Sequence, residues 1–443
     1  MTIQLSDHFT YKKLLRYVLP SILMMNFTSL YCIVDGLFVS NYVGKSAFAA
    51  INLMMPILMG VSTVGFMLGS GGSAIVSKTL GEGEKEKANK YFSMIIYTAI
   101  IFGTLISTVG FILAKPLASS FGAEGDLLSN SVIYARILFV FTPAYMLQVM
   151  FQSFFVVAEK PHYSLRITLV AGFANMILDY VFIGLFHWGI EGAAFATGIG
   201  YCIGAGVPLF YFARKHNSSQ LKLCKTRFYG KILLKTCTNG SSEMVTNLSS
   251  SIVGILYNLQ LMKYAGEDGV AAYGVLMYAG FIFAAIYIGY SMGSSPIVSF
   301  HQGAKNYDEL KNMFKKGLSL MILGGIIFVT IAEIFTRPLV SIFAGYDETL
   351  LKMTVHGARI SLLSFLFAGI NTWGSGFFTS LNDGLVSGII SFSRMFVFQI
   401  VSILVLPLIF GLDGIWFAQV SADFLAVIVT LGFLLKLRKK YGY

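Results

Sequence analysis

The feature that most constrains this chain is a succession of twelve apolar runs, roughly residues 14–39, 52–77, 91–114, 131–157, 164–186, 192–213, 236–262, 271–298, 317–335, 356–380, 387–410 and 414–435. A run of about 20 apolar residues crosses the hydrocarbon of a bilayer as a helix. Only helices and closed barrels satisfy backbone groups in lipid, and these runs are far too long for barrel strands. Composition agrees, with 56% of the 443 residues hydrophobic and 12% charged, about half the charged share of a soluble domain. The pattern predicts an all-α integral membrane protein of twelve transmembrane helices.

Lysine and arginine set the orientation. With the N-terminus in the cytoplasm, 24 of the 32 basic residues fall in inner segments and seven in outer ones, Arg394 lying within a span. Both termini are therefore expected in the cytoplasm of a multi-pass protein of the cell (inner) membrane. The net charge of +11 sits in the loops between spans. It reads as a topology signal with attraction to the lipid bilayer, not as a nucleic-acid surface. Cys32, Cys202, Cys224 and Cys237 form no metal spacing and are expected to be reduced.

The chain repeats itself at an offset of 222. "YVGKSAFAAINLMM" (42–55) falls on "YAGEDGVAAYGVLM" (264–277), "KPLASSF" (115–121) on "RPLVSIF" (337–343), and "GIEGAAFA" (189–196) on "GLDGIWFA" (411–418). The expected organisation is an N-lobe at 1–213, a cytoplasmic linker at 214–231 and a C-lobe at 232–443. Each lobe holds six helices. Six is even, so both lobes enter the membrane in the same direction and should be related by pseudo-twofold symmetry about the membrane normal. Two such lobes facing a central cavity suit alternating access, and hence a secondary transporter acting as a monomer on a small organic substrate. There is no phosphate-binding GxxxxGK[ST] loop.

A carboxylate at a helix centre costs about 2.5–3.5 kcal/mol, so the acids within the runs need an account. Asp35, Asp179 and Thr197 fall at similar depth near the outer boundary, and Asn175 shares a helix face with Asp179. Two carboxylates, an amide and a hydroxyl form an all-oxygen set that suits a proton or a sodium ion. Two carboxylates in low dielectric resist joint ionisation, so one should hold a proton. The plainer alternative is that these groups hydrogen-bond helices together. Pro20, within the first span, is a static kink or a moving hinge. Glu243 in the seventh span either pairs with Arg394 in the eleventh or faces the cavity as an acid for cationic substrate. Asp423, with Gln419 one turn earlier, lies near mid-depth of the twelfth span. Gln148, Gln152 and Asn371 either line the cavity or join helices.

The two repeats, the first span "LPSILMMNFTSLYCIVDGLFVSNYVG", the fifth "NMILDYVFI" and the sixth "GIEGAAFATGIG" resemble the multidrug and toxic compound extrusion (MATE) family over essentially the whole chain. Pro20, Asp35, Asn175, Asp179 and Thr197 resemble the N-lobe cation site of the DinF-like branch, which includes the MepA-type exporters. The resemblance implies proton or sodium binding there, with bending of the first helix at the proline. Glu243 resembles a seventh-helix glutamate of the NorM branch. Asn371 stands where that branch has a tenth-helix aspartate. Gln152 replaces a fourth-helix glutamate of the MepA type.

The expected activity is thus export of organic, cationic or amphipathic, compounds in exchange for H+ or Na+, with no cofactor beyond the coupling ion. The chief rival is a lipid-linked sugar flippase or metabolite exporter of related two-lobe fold, which would want a cationic cavity where this chain has Arg394 against four acids. A channel fits an internal two-lobe repeat less well. An enzyme would need a catalytic set, and His187, His301 and His356 supply none.

Overall fold

A computed structural model describes residues 3–43, 45–214, 217–344 and 347–443, without the side chains of 32, 33, 36, 37, 39–41, 45, 48, 62, 278, 279, 339 and 342–344. Residues 44, 215 and 216 and the Cys32 side chain, all touched by the sequence expectations, lie outside that description. Cys202, Cys224 and Cys237 are free thiols.

The described chain is helical nearly throughout. Its helices are α1 Tyr11–Tyr42, α2 Lys45–Gly81, α3 Lys85–Ser120, α4 Gly125–Val157, α5 Pro161–Asp179, α6 Gly189–Ala213, α7 Gly230–Gly303, α8 Tyr307–Ala344, α9 Glu348–Ser361, α10 Phe365–Ser380, α11 Gly384–Phe392, α12 Gln399–Phe410 and α13 Leu412–Tyr441. A short 3-10 turn, Leu362–Ser364, joins α9 to α10, and π-helical segments occupy Tyr180–Leu185 and Ser393–Phe398. Among the described residues ten helices are long and apolar enough to cross a membrane. The 74-residue α7 is one of them and holds two spans, because Gly266, at φ 64° and ψ −150°, breaks it into two arms. That backbone conformation is one glycine reaches without strain. The first expected span falls on α1 and the other eleven on these ten helices and the short turns that join or end them, each to within a residue, and the fold is that of an all-α integral membrane protein.

Helices α1–α6 pack among themselves, as do α7–α13, and the two sets meet chiefly where α1 and α2 lie along α7. At the basic end of the bundle lie the described segment before α1, the end of α13, residues 217–229 and the α2–α3, α4–α5 and α7–α8 turns. The sets approach most closely there. A Cβ on Gly81 would lie 2.0 Å from the Phe300 carbonyl oxygen, and one on Gly303 would lie 2.0 Å from the Lys78 carbonyl oxygen. Gly81 and Gly303 are repeat mates, as are Lys78 and Phe300, so the contact is reciprocal, as a twofold relation requires. Gly71 against Thr236 and Gly240 against Met67 continue the seam at the same 2.0 Å, and Ser77 Oγ donates to the Pro296 carbonyl at 2.6 Å. Toward the other end contact thins: Gly60 meets only Leu248 Cδ2, at 3.8 Å, and Gly254 meets nothing within 4 Å.

The segment before α1 ties the two sets together at the basic end. Leu5 and Phe9 are buried there. Leu5 N–H donates to Glu159 Oε1 (2.8 Å) on the α4–α5 turn. Phe9 N–H donates to Glu309 Oε1 (3.0 Å) on α8, Asn312 Nδ2 donates to the Phe9 carbonyl (2.9 Å), and His8 Nδ1 lies 2.6 Å from Glu309 Oε2.

Candidate cation site

Small residues set the spacing of α1, α5 and α6. A Cβ on Gly172 would lie 2.5 Å from Phe27 Cε1, so only glycine lets α1 settle this closely on α5; a Cβ on Gly200 would lie 3.3 Å from the Ala171 carbonyl and 3.4 Å from Asn175 Cβ. One turn past Asn175 the helix carries Asp179, and the backbone widens into the π segment immediately after it. Such widened turns are rare and recur at functional sites.

The predicted residues come together. The Asp35 carboxyl on α1 faces the Asp179 carboxyl on α5 at close range. Asp179 is 0% exposed, Asn175 3% and Thr197 9%; Asp35 is half-buried. Beside the acids a narrow cleft is lined by Tyr31, Gln148, Asn175, Thr197 and Tyr201. Tyr31 lies one turn before Asp35, and Asn175 one turn before Asp179, so the acid pair sits just beyond the cleft. Among the described residues, both oxygens of Asp179, Asp35 Oδ1, both polar atoms of the Asn175 amide and the Thr197 hydroxyl have no hydrogen-bond partner. Buried polar groups are ordinarily satisfied, and an unpaired one costs stability. This oxygen-rich set has the chemistry to accept a proton or a cation. Among the described residues no group of three or more His, Cys, Asp or Glu gathers, so a sodium ion here would depend on the amide and hydroxyl oxygens beside the two carboxylates. Pro20 lies inside an unbroken α1.

The other predicted residues separate into three places. Gln148 and Gln152, each 7% exposed, lie between α4, α5 and α6, along a second narrow cleft. Arg394 does not pair with Glu243. Its Nε lies 2.5 Å from Asp423 Oδ1 and its Nη1 2.8 Å from Thr372 Oγ1, while Gln419 Nε2 donates to Asp423 Oδ2 at 3.1 Å. Asn371 donates to the Asp423 carbonyl at 2.8 Å and accepts from Thr430 at 2.9 Å. Depth along a helix placed Glu243 and Arg394 level, but it does not say which way each faces. Glu243 is half-buried, and among the described residues its carboxyl has no hydrogen-bond or ion-pair partner. The sequence reading missed Tyr31 and Tyr201, although Tyr31 stands four residues before Asp35 and shares its face. It also missed Ser164 and Thr168, which continue the α5 stripe that carries Asn175 and Asp179.

Comparison with known proteins bears on the family and the fold. The family model MatE matches residues 20–181 and 244–428. The chain is 23% identical to the multidrug export protein MepA of Staphylococcus haemolyticus (strain JCSC1435), over 97% of this chain and 94% of that protein. It is also 23% identical to MepA of Staphylococcus aureus (strain NCTC 8325), over 95% and 92%. A solved structure of the outward-facing conformation of a multidrug resistance MATE family transporter overlays with a TM-score of 0.92 at 20% identity, covering 98% of this chain and 97% of that one. A MATE structure in complex with MaL6 overlays with a TM-score of 0.93 at 20% identity, covering 98% of both chains.

Proposed function

Since the chain belongs to the MATE family, we propose that it is a secondary antiporter that exports organic, cationic or amphipathic, compounds in exchange for a proton or a sodium ion. The observation that carries this reading is the facing pair of Asp35 and Asp179, with the unpartnered polar atoms of Asn175 and Thr197 beside it. Two carboxylates this close in low dielectric repel strongly when both are ionised. One shared proton removes a charge and provides a donor for an oxygen that otherwise has none. Binding the cation therefore changes how α1 and α5 attract each other, and a carrier can couple that change to rocking of one lobe on the other.

The domain reading belongs to the same proposal: an N-lobe at 1–213, a linker at 214–231 and a C-lobe at 232–443, working as a monomer. With the basic end in the cytoplasm, the tight seam there and the thin contact at the other end describe a carrier open to the outside. One proton moving down 100 mV supplies about 2.3 kcal/mol, enough for roughly fifty-fold accumulation. The MepA proteins that the chain resembles are named for multidrug export, which supports a carrier rather than an enzyme. Glu243, an acid without a partner among the described residues, suits a cationic cargo. A lipid-linked pyrophosphate would need a free cation within the membrane, and Arg394 is engaged by Asp423 at 2.5 Å.

The test is efflux of ethidium from proteoliposomes under separately imposed proton and sodium gradients. Efflux driven by one of the two gradients is expected. Ethidium loss that responds to neither would remove the antiport reading.

A further inference from the structure

The internal repeat carries the cleft beside the acids onto a place in the α7–α13 set that is already full. At the offset of 222, Thr197 falls on Gln419 and Tyr201 on Asp423; at 223, Gln148 falls on Asn371. Gly172 and Ala171, which also line the cleft, fall on Arg394 at 222 and at 223 respectively. Asn371, Arg394, Gln419 and Asp423 stand on α10, the π segment Ser393–Phe398 and α13, and hydrogen bonds join all four into one cluster. A π segment stands beside both places, Tyr180–Leu185 following Asp179 and Ser393–Phe398 holding Arg394. Such widened turns recur at functional sites.

The two places differ in what fills them. In the cleft, α5 offers only the small Ala171 and Gly172 at this position, and among the described residues Gln148 Oε1, the Asn175 amide and the Thr197 hydroxyl have no hydrogen-bond partner. In the counterpart an arginine side chain enters from the same position, and the bonds close. Arg394 Nε lies 2.5 Å from Asp423 Oδ1, and its Nη1 donates to Thr372 Oγ1 at 2.8 Å. Gln419 Nε2 donates to Asp423 Oδ2 at 3.1 Å, and Asn371 is tied to the Asp423 carbonyl and to Thr430. Asp35 falls on Tyr257 and Asp179 on Val401. One buried carboxylate thus stands where the cleft has two beside it, and one positive charge neutralises it. A carboxylate, two amides and a hydroxyl make a cation site, and here the cation is part of the chain.

We propose that this cluster is a second monovalent-cation pocket, the counterpart of the cleft beside the acids, and that the guanidinium of Arg394 occupies it as a cation tethered to the chain. The pocket is shaped for a planar guanidinium. Asp423 Oδ1 and Thr372 Oγ1 are met by two different N–H groups of one fork, which a single ammonium does not reproduce. The Arg394 side chain is 15% exposed, so the pocket has a mouth by which a small cation can enter once the arginine is removed. A pocket filled in this way neither takes up nor gives up an ion as the lobes rock. Of the two related places, only the one in the α1–α6 set then exchanges a cation. That count rests on the antiport reading and the pocket does not, so a failure of cation-driven efflux would remove the count alone.

The test is binding of labelled methylguanidinium to the purified full chain, with the melting midpoint followed in the same samples and methylammonium as a second probe. Arg394→Ala empties the pocket, and adding Asp423→Asn removes its charge. Arg394→Ala should bind one methylguanidinium per chain more than the unmodified protein does. It should regain most of its lost melting midpoint at about 20 mM probe, and prefer methylguanidinium to methylammonium at least tenfold. The unmodified chain and the double variant should show none of these gains. An Arg394→Ala protein that folds only with methylguanidinium present supports the pocket equally. Folded Arg394→Ala that binds no additional probe overturns it, as does failure to fold even with methylguanidinium. Additional binding that survives Asp423→Asn places the probe elsewhere and also overturns it. Equal gains from the two probes mark an ion pair without a shaped pocket, and overturn it too.

Discussion

At the scale of single residues, the two kinds of buried charge behave oppositely. Arg394 and Asp423, with side chains 15% and 0% exposed, neutralise each other, and Asp423 also accepts from Gln419. Breaking such a pair from one side leaves an uncompensated charge, at about 3–5 kcal/mol, while removing both partners together is much less costly. Arg394→Gln should therefore lower the melting midpoint clearly, and the double change Arg394→Gln with Asp423→Asn should recover most of the loss. A double variant that melts below both single ones contradicts this. Glu159, outside the membrane, shows a milder cost. Burial pushes its carboxyl above the usual range, against the hydrogen bond from Leu5 N–H. A raised folded value means that its favourable contribution is complete below the ordinary 4.5 and fades as the pH rises through the raised value. At pH 7, well above 4.5, burial of this carboxyl is a net cost to the fold. Glu159→Gln should raise the melting midpoint at pH 7, by about 1 °C, and leave it unchanged at pH 4. An equal shift at both pH values points to a packing effect instead.

At the scale of elements, the segment before α1 is a strap rather than a tail. Glu309 receives Phe9 N–H, His8 Nδ1 and Asn312 Nδ2, and Leu5 N–H reaches across to Glu159. Any state that parts the lobes at the basic end has to break one set of these bonds. Glu309→Ala should raise the hydrogen–deuterium exchange rate of the Phe9 amide at least tenfold while leaving exchange in α5 unaltered. Exchange at Phe9 that stays slow would show that burial of the aromatic ring, not Glu309, holds the strap. The strap was not legible in advance, because residues 1–13 are mostly polar and carry no span. Its partners come from α8 and the α4–α5 turn, about 300 and 150 positions away in the chain.

At the scale of the whole molecule, what could be read and what could not divide along a physical line. Spans are legible because each apolar run is long and its meaning in lipid is local. Asp35, Asn175, Asp179 and Thr197 were legible because an acid in such a run is costly and so conspicuous, and because a four-residue spacing fixes a shared face. The partner of Arg394 was not, since pairing depends on how α10, α13 and the π segment at Ser393–Phe398 turn toward one another. Nor were the two π segments, which no propensity marks. The repeat did carry one packing detail, for Gly81 and Gly303 are mates and meet across the seam. Gly81→Val places a side chain against the Phe300 backbone, which cannot yield. Electron–electron resonance distances between labels on the α2–α3 and α7–α8 turns should lengthen in that variant, and an unchanged distribution would mean that the seam is looser than its contacts imply.

Exchange of cargo for a cation at the Asp35–Asp179 pair, as proposed above, requires that binding of one favours release of the other. Its most direct measurement is the release of protons, or of labelled sodium, when ethidium is added to purified protein in weakly buffered detergent. The unmodified chain should release one of the two cations in proportion to the ethidium bound, and folded Asp179→Asn should bind ethidium and release neither. Full cation release from Asp179→Asn would contradict the account.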